Sequence, residues 1–185
     1  MSERSTHHAT FVIERTYAAS LARVFAAWAE PEAKARWFAG PDDWNKGEHE
    51  LDFRVGGRER VSGGPPGGPV HSYEARYQDI VPNERIVSTY AMHVDDKRIS
   101  VSLATVEFKP AGAGTLLIYT EQAVFLDGAD TSAGREEGTR TLLDKLDAAL
   151  RREPASTCTA GYAGLRQRKI SSTSPSPRDR SANST

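Results

Sequence analysis

The sequence predicts an α+β domain with a helix-grip arrangement: a curved antiparallel sheet of about six to seven strands wrapped on one long C-terminal helix. Three observations predict it. Strand-like segments follow one another between residues 49 and 125 with short turns between them, the pattern of an antiparallel meander. Two short helical segments interrupt the chain directly after the first strand. A single long amphipathic segment follows the last strand, and it must cover one face of the sheet.

Each element has a local reason. Thr10 to Tyr17 is rich in β-branched and aromatic residues and reads as the first strand. Ser20 caps a helix in which Leu21, Val24, Phe25 and Trp28 recur at helical spacing. Pro31 opens a second short helix through Phe38, at the first-turn position where a missing N–H does no harm. His49 to Val55 alternates apolar and polar residues as a strand, Gly56-Gly57 bends the chain, and Arg58 to Val61 returns as a short strand.

The run Gly63-Gly64-Pro65-Pro66-Gly67-Gly68-Pro69 reads as a loop. Strands at Val70–Ile80, Arg85–Val94 and Ile99–Lys109 follow, joined by turns at Pro82-Asn83 and Asp95-Asp96. Thr115 to Phe125 is the last strand. Asp130 is the expected cap of the long helix, with Leu142, Leu146, Ala149 and Leu150 as its buried stripe, although Gly134 and Gly138 weaken the first turns.

Composition divides the chain in two. Its formal net charge of −1 is an average over 185 residues. Residues 151–185 hold seven Lys+Arg against two Asp+Glu, and 14 of these 35 residues are Ser, Thr or Pro. Such a segment has too little apolar surface to offset its ordering entropy, so it reads as a disordered basic tail. The folded domain is expected over residues 8–150, and residues 1–150 hold 17 basic residues against 23 acidic ones. An acidic domain argues against nucleic acid as its partner. No apolar run approaches the ~20 residues of a membrane span, and no leader pattern precedes the first strand, so the expected location is cytoplasmic. Cys158 is the one cysteine and lies in the tail.

No cofactor motif stands out, and no cofactor is expected. Gly56-Gly57 lacks the Lys-Ser/Thr and the helix of a phosphate loop. Asp42-Asp43 and Asp95-Asp96 read as turn residues rather than metal ligands, and His7-His8 as part of a disordered terminus. There is no Gly-x-Ser-x-Gly nucleophile motif.

A strongly curved sheet closing on a helix leaves a cavity between them, where a ligand sits. Strand parity places His49, Leu51, Phe53 and Val55 on the inner face, and likewise Tyr73, Ala75 and Tyr77, with Glu74, Arg76 and Gln78 outward. Trp28, Trp37 and Phe38 read first as core aromatics fixing the two short helices, and second as an aromatic lip of the cavity.

Several motifs carry a family resemblance. Residues 24–32 (VFAAWAEPE) and 36–41 (RWFAGP) are similar to the opening signature of the family related to the activator of heat shock protein 90 ATPase, within the START/Bet v 1-like (SRPBCC) superfamily. Residues 52–58 (DFRVGGR), 80–87 (IVPNERIV), 114–117 (GTLL) and 138–146 (GTRTLLDKL) resemble its later motifs, in the family's order. The resemblance implies the Bet v 1-like helix-grip fold. Its register puts Ser88, Tyr90 and Met92, and then Leu117, Tyr119 and Glu121, on the inner face. Thr139 stands where the family often has Trp, which enlarges or wets the cavity.

The expected ligand-binding set is therefore Trp37, Phe53, Tyr73, Tyr77, Tyr90, Met92, Leu117, Tyr119 and Thr139, around a small hydrophobic or aromatic molecule. The competing reading is a cyclase-like or hydrolase-like enzyme using the same cavity, in which Glu121 orients His49 as general base. A third is a co-chaperone role. It is the weakest, since the eukaryotic activators carry an additional N-terminal domain and only about nine residues precede the first strand here. Leu116 and Ile118, apolar and outward, mark a candidate homodimer surface.

Overall fold

The computed structural model describes residues 4–152. Its elements are β1 (Thr6–Tyr17), α1 (Leu21–Ala29), α2 (Pro31–Ala35), β2 (Asn45–Leu51), β3 (Arg58–Gly64), β4 (His71–Val81), β5 (Arg85–Val94), β6 (Lys97–Ala111), β7 (Gly114–Leu126) and α3 (Ser132–Arg152). All seven strands form one antiparallel sheet in the order β1-β7-β6-β5-β4-β3-β2. α3 packs on it, and the fold is helix-grip. The basic segment expected to be disordered lies, from residue 153, outside the described residues.

The inner face of the sheet builds the core. Ile13, Tyr17, Val106, Phe108 and Leu117 pack under α1 and α3, meeting Val24, Phe25, Trp28, Leu143 and Leu146. Tyr17 Oη donates to the Leu143 carbonyl at 3.1 Å, so the first strand is tied to the last helix. The side chain of Ser20 accepts from the Arg23 N–H and caps α1, as its position in the sequence predicts.

Several boundaries differ from expectation, each for a local reason. β1 begins at Thr6 because its first residues pair with the end of β7, and His7 stacks on Phe125 at 6.3 Å; His7-His8 is strand, not a loose terminus. β3 continues through Gly63 and Gly64, which were expected in a loop. A Cβ on Gly63 would stand 2.9 Å from the Asn45 carbonyl, so the missing side chain is what permits β2 to pair there. β2 ends at Leu51 rather than Val55, because residues 52–57 fold into a turn that leaves Val55 exposed. α2 ends at Ala35, and Trp37 and Phe38 lie in the turn after it. α3 is capped by Thr131, whose Oγ1 accepts from the Gly134 N–H at 3.1 Å, while the expected cap Asp130 pairs with Arg135.

β6, whose sequence carries apolar residues on both faces, turns Ser100, Ser102, Ala104, Val106 and Phe108 inward and leaves Val101 and Leu103 exposed on the outer face. Leu116 and Ile118 lie half-buried on that outer face. Among the described residues no helix is long and apolar enough to cross a membrane.

Candidate ligand-binding site

A cavity of about 570 Å³ lies between the sheet and α3, within the usual range for small-molecule sites. Its origin is a row of small side chains. Tyr77, Ser88, Ala104 and Glu121 are register partners across β4 to β7, so Ser88 and Ala104 form a low floor between two large side chains. On the facing helix, Gly134, Gly138 and Thr139 line the space, and a Cβ on Gly138 would meet nothing within 4 Å. Trp28, Trp37, Phe38, Tyr73, Tyr77, Tyr90 and Tyr119 supply aromatic walls. At one side, Lys145 Nζ donates to the Gly40 carbonyl at 2.9 Å and to Asp42 at 3.1 Å, fastening the loop after α2 to α3.

Two buried polar clusters interrupt this lining. In the first, Lys34 Nζ lies 2.6 Å from Glu59 Oε2 and donates to Tyr77 Oη at 3.1 Å. Tyr77 Oη donates to the same carboxylate oxygen at 2.7 Å, and His49 Nε2 lies 3.1 Å from Glu59 Oε1. The ammonium also sits over the rings of Phe38 and Trp28 at 4.7 and 5.3 Å. Burial lowers the Lys34 pKa, against the pull of Glu59. Burial alone pushes Glu59 upward, but Lys34, His49 and Tyr77 together hold it below the ordinary carboxylate range.

Glu121 is the centre of the second cluster. It accepts from Tyr90 Oη at 2.5 Å, Ser102 Oγ at 2.9 Å and Tyr119 Oη at 2.9 Å, with Arg135 Nη1 at 3.5 Å. Arg135 further donates to Tyr90 Oη at 3.1 Å and Ser100 Oγ at 2.8 Å, and pairs with Asp130. Burial pushes the hydroxyls of Tyr73, Tyr77, Tyr90 and Tyr119 upward, so all four are neutral phenols at pH 7. One buried donor of the lining, Trp28 Nε1, has no hydrogen-bond partner among the described residues.

Of the residues expected to bind a ligand, Trp37, Tyr73, Tyr77, Tyr90, Met92, Tyr119 and Thr139 line the cavity. Phe53 does not; it leaves the strand with the turn and packs edge-on against Phe25 and Tyr77. Leu117 is sealed in the core below. The expected contact between His49 and Glu121 is not made. His49 belongs to the Glu59 cluster near the sheet edge, while every donor around Glu121 comes from β5, β6, β7 or α3.

Lys34, Glu59 and Arg135 are the residues that the sequence reading missed. Glu59 shares parity with Val61 on β3, between the outward Arg58 and Arg60. Arg135 stands four residues before Thr139 on the buried stripe of α3. Both positions carry a signal in retrospect. Among the described residues, no group of His, Cys, Asp and Glu is arranged to hold a metal ion.

This architecture agrees with the comparisons. The family described as Activator of Hsp90 ATPase homolog 1-like protein matches residues 18–151. The chain belongs to that family. A solved structure of an uncharacterized protein from Rhizobium leguminosarum is 48% identical, with a TM-score of 0.78 over 82% of this chain and 99% of that one. The Mll3558 protein from Rhizobium loti is 49% identical, with a TM-score of 0.73 over 79% and 99% of the two chains. CV1439 from Chromobacterium violaceum is 26% identical, with a TM-score of 0.66 over 78% and 98%. Among the curated proteins none matches.

Proposed function

We propose that this member of the family binds one small, mainly apolar molecule, aromatic or alicyclic, in the cavity between the sheet and α3. The observation that carries the reading is the row of small residues under aromatic walls: Ser88 and Ala104 leave a space of about 570 Å³ that the surrounding rings do not fill. Tyr73, Tyr90 and Tyr119 offer stacking faces and polar edges to such a guest. Binding is favoured over chemistry. The dyad on which the enzyme reading rests, His49 with Glu121, is not assembled, and each of the two is engaged elsewhere.

The test is thermal unfolding against a panel of apolar compounds. A ligand present at about 100 times its Kd adds about 2.7 kcal/mol to the folded state, a shift of several degrees. A saturable rise in Tm with at least one compound class is the expected result. A broad panel that leaves Tm unmoved would remove the reading.

A further inference from the structure

Every buried charge in the cavity wall is already answered by another. Lys34 faces Glu59, and Arg135 is bonded between Glu121 and Asp130; at the rim, outside this buried set, Lys145 holds the solvent-exposed Asp42. The two fully buried carboxylates are engaged in turn. Glu121 takes three hydroxyl donors besides Arg135, and Glu59 takes Lys34, Tyr77 and His49. Below the rim, a ligand carboxylate would find, among the described residues, no buried cation without an acidic partner, and a ligand ammonium no buried carboxylate without a cation of its own. Either charge would be buried uncompensated, a cost that suppresses binding by well over tenfold.

The uncharged polar capacity that remains has a definite character. The hydroxyl hydrogens of Tyr77, Tyr90 and Tyr119 all point to carboxylates, so these phenols offer a guest only oxygen lone pairs. Trp28 Nε1–H is a buried donor in want of an acceptor. A hydroxyl group can serve either need, because it both donates and accepts.

Building on the proposed ligand-binding role, we infer that the cavity selects an uncharged alcohol or phenol on an apolar body, and rejects organic acids and amines of the same shape. The selection is written into the closed pairing of Lys34, Glu59, Glu121, Arg135 and Asp130.

Matched series test this. Isothermal titration at pH 7.5 compares 1-naphthol, 1-naphthoate and 1-naphthylmethylammonium, and then decanol, decanoate and decylammonium. The hydroxyl member of each series should bind at least tenfold tighter than either charged member. In Asp130→Asn, Arg135 loses one of its two acidic partners, and the affinity of 1-naphthoate relative to 1-naphthol should rise at least threefold. A charged member that binds wild type as tightly as its alcohol overturns the inference and leaves ligand binding standing. If no member of either series binds, the inference falls; if the wider apolar panel is also silent, ligand binding falls with it.

Discussion

Lys34 Nζ and Glu59 Oε2 stand 2.6 Å apart with both side chains sealed from solvent. The pair joins α2 to β3 beneath the aromatic wall, and Tyr77 and His49 complete it. Removing one member of such a pair leaves the other charged and uncompensated. Lys34→Met is therefore expected to lose about 3–5 kcal/mol of unfolding free energy, read by urea denaturation. Lys34→Met combined with Glu59→Leu should lose less than Lys34→Met alone. A single variant within about 0.5 kcal/mol of wild type would show that the pair is solvated.

The buried phenols set the alkaline limit of stability. Burial raises the hydroxyl pKa of Tyr17, Tyr73, Tyr77, Tyr90 and Tyr119, five of the six tyrosines in the chain. A raised folded-state value means that the folded chain binds more protons than the unfolded one above the ordinary phenol value of about 10. Stability is thus fully present below that pH and falls above it, by up to about 1.4 kcal/mol per pH unit for each such tyrosine. Tyrosinate absorbance at 295 nm from these five should rise only in step with the loss of circular dichroism. A smooth titration near pH 10 with the fold intact would contradict it.

Access to the cavity has its own handle. Lys145 holds the loop after α2 through the Gly40 carbonyl and Asp42, and Trp44 of that loop lies tilted against His71 with ring centres 4.6 Å apart. The Asp42 side chain is almost fully exposed, so Lys145→Ala should change stability by less than about 1 kcal/mol. Ligand dissociation measured by stopped-flow tryptophan fluorescence should nonetheless accelerate several-fold. An unchanged dissociation rate would show that the ligand leaves by another path.

Much of this architecture is legible in the residues themselves. Parity alone separates Tyr73 and Tyr77 from Glu74, Arg76 and Gln78, because β4 is wet on one face and dry on the other. It fails for β6, where Val101 and Leu103 are exposed while Ser100 and Ser102 are buried. There the inward hydroxyls serve Glu121 and Arg135, a demand that arises one and two elements further along the chain. The His49–Glu121 pairing failed for the same reason in reverse. Both residues face inward, yet facing one cavity does not bring β2 and β7, at or next to opposite edges of the sheet, within bonding distance. Lys34 was hidden by its type: a lysine on a short helix reads as solvent-facing until a partner such as Glu59 is known.

The central claim is that the space over Ala104 is a ligand site rather than a packing defect. Ala104→Phe places a ring on the cavity floor between Ser88 and Glu121, at an expected cost of about 1–3 kcal/mol and with the sheet retained. The most direct measurement is isothermal titration of wild type and Ala104→Phe with the apolar compound that most raises the wild-type Tm. One saturable site in wild type, lost in the folded variant, is the predicted result. Equal affinity in both proteins, or no saturable binding to wild type, would contradict the claim.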